Sequence, residues 1–327
     1  MTRTMARVGG AIDETIRPDD EATPSTGVGQ GAPVEQTRAR YPDETGFVER
    51  DGVRVFYEVY GSGEPTVLLL PTWSIIHSRF WKLQIPDLAR RYRVITFDPR
   101  GNGRSDRPTT VDAYAEAEFA ADALAVMDAT STRRAVLVSL SMGAQRALLL
   151  ASDHTERVAG AVFIGAALPL AKKLPGRDPI EEFMNPLDTD EGWAKYNSHY
   201  WRREYRDFLE FFFGECFSEA HSTKPIDDAV GWGQETDPES LILSDIAPTL
   251  RDRDEVLDRC RRVRCPVLVV HGSDDRLRPL THAEELAAAT GGTLLTIDGG
   301  GHIPNVRDPI RFNLALREFI DSLGVAP

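Results

Sequence analysis

Residues 134–154 read RAVLVSLSMGAQRALLLASDH, an apolar run that passes through two serines and a glycine into an amphipathic one. The first part, RAVLVSL, is a buried-type strand, and the second, GAQRALLLASDH, has the spacing of a helix. Between them the chain turns from strand into helix within a few residues. Such a turn holds a serine Oγ clear of its own strand only when the positions two before and two after that serine are small. For Ser141 these are Ser139 and Gly143; for Ser139 they are Leu137 and Ser141, and Leu137 would clash. The spacing therefore selects Ser141 as the nucleophile and Ser139 as its compact flank. It also turns the N-terminal N–H groups of the following helix toward an anion formed at Ser141.

The strand-and-helix rhythm extends to both sides of this turn. PTVLLL (65–70) and YRVITFD (92–98) read as buried strands with a helical stretch, HSRFWKLQIPDLARRY, between them. A helix over 111–130 precedes the RAVLVSL strand, and a strand RVAGAVFIGAA (157–167) follows its helix. After residue 250 come a strand PVLVVHG, a helix HAEELAAAT, a strand TLLTID and a final amphipathic helix DPIRFNLALREFIDSL. Upstream, GFVERDGVRVFYEVYG (46–61) sets two alternating runs around Asp51-Gly52, a strong hairpin signal. The expected fold is α/β: a mostly parallel, twisted sheet of eight strands with helices on both faces, entered through an antiparallel hairpin.

Two stretches break the rhythm. Residues 1–45 are rich in Gly, Pro, Thr, Asp and Glu without periodicity, which predicts a flexible tail. Between 171 and 250, Trp193, Tyr196, Tyr200, Trp201, Tyr205, Phe208, Phe212 and Phe213 recur at steps of three and four. That pattern is an aromatic face on a long helix or a bent pair of helices. Simple packing on the sheet domain and a lid lining an apolar pocket both satisfy it; Thr72, Trp193, Tyr200, Trp201 and Phe212 are the candidates for the pocket. The expected division is a core of 46–170 and 251–327 with a helical lid of 171–250.

A net charge of −13 argues against a nucleic-acid partner, because phosphate binding needs concentrated positive charge. The three cysteines, Cys216, Cys260 and Cys265, lack C-x-x-C spacing and cannot all pair within one chain, which fits a reduced, cytoplasmic protein. No stretch reads as a signal peptide or a membrane span. No His, Cys and carboxylate cluster has metal-ligand spacing, and GNGRSD (101–106) reads as a tight turn rather than a phosphate loop. A site free of metal and cofactor, acting on a small neutral or apolar molecule, is the expectation.

A serine nucleophile needs a base, and of seven histidines His302, in the Gly-rich loop TIDGGGHIPNV after the last strand, is best placed to aim back over the sheet. His77 and His271 read as packing or supporting groups. The imidazole in turn needs a carboxylate to fix its tautomer. PVLVVHGSDDRLRP supplies Asp274 and Asp275 in the turn after the preceding strand, and spacing alone leaves the choice between them open.

From about residue 46 onward the chain resembles the α/β-hydrolase-fold family with a cap domain. The matching pieces are FDPRGNGRSDRP (97–108), SLSMG (139–143), HGSDDRLRP (271–279) and GGGHIPNVRDP (299–309). The resemblance implies that the acid is the third residue after the glycine of the H-G-x-x-D turn, Asp275, giving a Ser141, Asp275, His302 triad. It also implies an oxyanion hole built from the N–H groups of Met142 and Trp73. Two departures stand out: Ser139 replaces a usual glycine, and Pro71-Thr72 replaces a usual His-Gly. A Cβ at Thr72 limits close approach to a substrate carbonyl, and if the Trp73 N–H pointed elsewhere the transition state would lose about 3 kcal/mol.

These readings predict a cofactor-independent serine hydrolase of a carboxylic ester, lactone or thioester. Serine at the elbow argues against the dehalogenase and epoxide-hydrolase members, which use a carboxylate there. Hydrolysis of a carbon–carbon bond in a diketone uses the same triad and remains open. The rival is a ligand-binding sensor on the same scaffold, since PTWSIIHSRFWKLQIPDL (71–88) and HYWRREY (199–205) more loosely resemble hydrolase-like modules joined to nucleotide-cyclase or regulatory domains.

Overall fold

A computed structural model describes residues 38–170, 183–220 and 222–324. Most of the expected tail and residues 171–182 of the expected lid lie outside the described residues. Within the stretch expected as tail, Arg38 pairs with Glu58 (2.8 Å) and donates to the Tyr60 hydroxyl (2.9 Å).

Eight strands form one sheet: β1 (Glu44–Arg50), β2 (Val53–Tyr60), β3 (Thr66–Leu69), β4 (Arg93–Phe97), β5 (Ala135–Leu140), β6 (Val158–Ile164), β7 (Val267–Gly272) and β8 (Thr293–Ile297). Their order is β1-β2-β4-β3-β5-β6-β7-β8, with β1, β2 and β4 joined antiparallel and all later pairs parallel. The β1–β2 turn is the two-residue Asp51-Gly52, with φ of 52° and 75°. Positive φ at both central positions matches the right-handed twist of the flanking strands.

The helices among the described residues are α1 (Ile85–Leu88), α2 (Glu116–Ala129), α3 (Gly143–Asp153), α4 (Ser198–Cys216), α5 (Thr223–Gly233), α6 (Pro238–Ile246), α7 (Arg253–Arg262), α8 (Leu280–Thr290), α9 (Pro304–Arg307) and α10 (Pro309–Ser322). Strand alternation divides the core in two. Val67, Leu69, Val136 and Val138 face a layer that includes α1, α10 and the rings of α4. Leu68, Leu70, Ala135 and Leu137 face α2, α3, α7 and α8. Because strands covered on both faces have no polar side, the central ones read as continuous apolar runs.

The helix expected over 77–92 is broken into a 3-10 turn (Ser78–Leu83) and the four-residue α1. Pro86 lacks an N–H and is tolerated only in a helix's first turn, so the helix restarts there. The aromatic stretch is a bent pair: α4 carries a non-helical residue at Glu204 (φ −134°, ψ 52°). Trp193 and Tyr196 precede it, on and just after a separate 3-10 turn (Gly192–Lys195).

Candidate active site

Ser141 sits between β5 and α3 at φ 50°, a backbone conformation that non-glycine residues rarely adopt. The strain is held by bonds on both sides: the Ser141 N–H donates to Ile164 O (2.9 Å), and its carbonyl accepts from Ala167 (3.0 Å). Ser139 is fully buried, and its hydroxyl donates to Val162 O (2.9 Å), outside the described cavity linings. A Cβ at Gly143 would lie 2.8 Å from Pro71 O, so only glycine lets the 71–73 loop close on the elbow.

His302 and Asp275 come together from the loops after β8 and β7. His302 Nδ1 lies 2.8 Å from Asp275 Oδ2. The other carboxylate oxygen accepts from the Leu277 and Arg278 N–H groups (2.7 and 2.9 Å), which fixes the side chain. Burial pushes the Asp275 carboxyl up, but the adjacent imidazole of His302, the His271 ring and the Arg278 N–H outweigh it and hold the group below its ordinary range. Asp274, by contrast, is exposed. His302 Nε2 is buried with no hydrogen-bond partner among the described residues.

Ser141 and His302 line one cavity, shared with Thr72, Trp73, Met142 and Phe212. Tyr196, Phe213, Ser244 and Asp245 add a roof from the 192–246 segment, where the Tyr196 hydroxyl bonds to Asp245. A second cavity of about 140 Å³, lined by Phe80, Leu83, Phe217, Trp232, Lys82 and Lys224 among others, shares the walls Ile76 and Ile303 with the first.

Trp193, Tyr200 and Trp201 are not among the residues described as lining these two cavities. Trp201 is fully buried between Phe183 (4.8 Å between centroids) and Phe208 (4.4 Å), and its Nε1 donates to Lys195 O. The Tyr200 hydroxyl is taken by Asp207 (2.6 Å), and Trp193 packs on Tyr196 and Phe211. Trp73 is the hinge of the cluster, in contact with Tyr196, Trp201 and Phe212.

Two further histidines, His77 and His271, lie near these groups without joining the described cavity lining. His77 is buried beside Glu235 and Asp98, outside the described cavity lining. His271 packs under Asp275, its Nε2 3.4 Å from Asp275 Oδ2, and burial lowers its basicity.

Several supporting residues escaped the sequence reading. Gly165 (φ 48°) leaves room for the histidine loop, since a Cβ there would lie 2.7 Å from His302 O. The end of α4 and the segment just after it hold that loop from the other side: Cys216 O accepts from His302 N–H (3.0 Å), and the Glu219 carboxylate from Gly301 N–H (2.7 Å). Arg146, on α3, donates to the carbonyls of Pro71 (2.8 Å) and Thr72 (2.5 Å) and pairs with Glu116. Glycine after a strand end was the one signal that could have found Gly165. The partners of Arg146 lie too far along the chain for spacing to reveal.

With the sheet order and this site in place, comparison with known proteins is decisive for the family. The profile of the alpha/beta hydrolase fold matches residues 65–309. The chain belongs to the α/β-hydrolase-fold family. It is a hydrolase of that fold, with an eight-stranded, mostly parallel sheet. Among curated relatives, a putative carbamate hydrolase, RutD, of Variovorax paradoxus is 28% identical over 81% of this chain and 95% of its own. Among solved structures, Est816, an N-acyl homoserine lactone degrading enzyme, is 27% identical with a TM-score of 0.69, covering 84% of this α/β-hydrolase and 100% of that chain. The esterase RhEst1 from Rhodococcus sp. ECU1013 is 28% identical with a TM-score of 0.69, over 85% and 98% of the two chains. No helix among the described residues is long and apolar enough to cross a membrane.

Proposed function

We propose that this α/β-hydrolase cleaves a carboxylic ester or lactone through Ser141, His302 and Asp275. The observation that carries the reading is the unpartnered, buried Nε2 of His302, on the same cavity as Ser141, in an imidazole whose Nδ1 is already taken by Asp275. An imidazole held by a carboxylate at one nitrogen offers the other as a base. Ser141 Oγ attacks the acyl carbon while His302 Nε2 takes its proton, and the resulting oxyanion is held by the N–H groups of Met142 and Trp73. His302 then gives the proton to the leaving oxygen, and a water activated by the same nitrogen releases the acid.

Residues 192–246 act as the cap of this site. The mostly apolar wall of Ile75, Ile76, Leu140, Phe212 and Ile303 suits an apolar acyl or alcohol group, and the Tyr196–Asp245 pair gives one polar point on the roof. The esterase and lactonase likeness supports ester or lactone over carbon–carbon bond cleavage. The test is turnover of short and medium p-nitrophenyl esters by wild type and Ser141→Ala. Loss of about 10⁵-fold in kcat is expected on removing the nucleophile. Activity that survives the substitution would sink the serine mechanism.

A further inference from the structure

The oxyanion loop lacks the usual glycine, so something else must set the direction of its peptide. Arg146, in the first turn of α3, is fully buried. Its Nη1 donates to both Pro71 O (2.8 Å) and Thr72 O (2.5 Å). Its Nε and Nη2 reach the two oxygens of Glu116 (2.8 and 3.4 Å) at the start of α2, and its Cζ lies 3.7 Å from the centroid of the Phe119 ring. The guanidinium is thus held on three sides, with one nitrogen left to grip the loop.

A trans peptide sets its C=O and N–H on opposite sides. The Thr72–Trp73 bond is trans, so fixing Thr72 O on Arg146 turns the Trp73 N–H the other way. Thr72, Trp73 and Met142 line the cavity beside Ser141, and neither the Trp73 nor the Met142 N–H bonds to another described residue. A carbonyl that accepts from a cation also polarises its own peptide and strengthens the N–H as a donor.

We propose that Arg146, backed by Glu116, is a positioning residue that locks the Thr72–Trp73 peptide with its N–H aimed at the oxyanion formed on Ser141. The assignment rests on the ester-hydrolase reading above. It makes the Pro71-Thr72 departure compatible with a working oxyanion hole: orientation comes from a side chain on the elbow helix instead of from a flexible glycine.

The experiment compares Arg146→Met and Arg146→Lys with wild type, using kcat and KM on a p-nitrophenyl ester and the inhibition constant of a matched trifluoromethyl ketone. Such a ketone adds the serine Oγ to its carbonyl and leaves a tetrahedral oxyanion, so its affinity reports the hole directly. Arg146→Met should lose about 100-fold in kcat with KM within about twofold, and lose ketone affinity by a similar factor. Arg146→Lys, whose ammonium reaches the carbonyls without the fork to Glu116, should recover to within about tenfold of wild type. A folded Arg146→Met with unchanged kcat, or one that loses kcat but binds the ketone as before, would overturn the proposal.

If Arg146→Met does not fold, the same ratio is read on Glu116→Gln, which keeps the volume and loosens the guanidinium. A loss of about tenfold in both kcat and ketone affinity is then expected, and unchanged values would overturn the proposal. Ser141→Ala run alongside separates the two levels of the account. Turnover abolished by Ser141→Ala but untouched in folded Arg146→Met removes the positioning role alone; turnover surviving Ser141→Ala removes the serine mechanism and this assignment with it.

Discussion

At the C-terminal ends of β5, β7 and β8, the loops carrying Ser141, Asp275 and His302 are held by short polar contacts, such as the 2.8 Å bond from His302 to Asp275 and the two N–H groups on the other carboxylate oxygen. In residues 192–246 the chain is held by rings on rings, with Trp201 between Phe183 and Phe208 and Trp73 joining the cluster from the core. Hydrogen bonds are directional, so a lost partner at the strand ends misaims a side chain of the proposed triad. Ring packing is far less directional, so a lost ring costs stability or changes the cavity's shape while the reacting groups stay aimed. The two regions should therefore fail in different assays.

The largest effect that would break this contrast belongs to Asp275→Asn. With the carboxylate gone the imidazole loses its tautomer control, and kcat should fall about 10⁴-fold with little change in KM. The same variant tests the electrostatics. The Asp275 carboxyl lies below its ordinary value of 3.8 in the folded chain, so its contribution to stability is fully present above that pH and is lost as pH falls through the lower folded value. In chemical denaturation below about pH 4, the stability advantage of wild type over Asp275→Asn should shrink as the pH falls further. An advantage that grew on acidification would reverse the assigned sign.

Next come the aromatic residues, where Trp201→Ala and Phe212→Ala are paired to sharpen the comparison. Trp201 is fully buried and off the cavity, so its loss should cost about 3–5 kcal/mol of unfolding free energy while the ranking of ester chain lengths stays unchanged. Phe212 lines the cavity, so its loss should shift that ranking toward bulkier acyl groups by about tenfold in kcat/KM. If Trp201→Ala changed the ranking as much as Phe212→Ala, the division of the rings between core and cavity would be wrong.

The smallest effect is expected for Ser139→Gly. It removes one buried bond to Val162 O, worth about 1 kcal/mol, and leaves most turnover in place. Loss of activity comparable to that of Ser141→Ala would mean that the two serines had been assigned the wrong way round.

How legible each region was in the sequence follows the same physics. The hairpin at Asp51-Gly52 and the elbow at Ser141 were readable because their backbones demand particular residues at particular positions, and positive φ occurs at all three. The acid turn was readable only down to Asp274 or Asp275 from spacing; burial of one and exposure of the other distinguishes them in the folded chain. The aromatic face was visible as a period, but a period cannot say which rings meet a ligand and which meet each other. The bend at Glu204 and the separate turn carrying Trp193 decide that. The contacts of Arg146 were invisible in the sequence, because its partners Pro71, Thr72 and Glu116 stand 75, 74 and 30 positions away in the chain.

The central claim is that Ser141 becomes acylated. Its most direct test is rapid acid quenching during turnover of a p-nitrophenyl ester, followed by mass spectrometry of the peptide that contains residues 138–145. A burst of p-nitrophenol is expected, together with a peptide heavier by one acyl group on Ser141 that is absent from Ser141→Ala. Steady turnover with no adduct on Ser141, or an acyl group found on another residue, would contradict it.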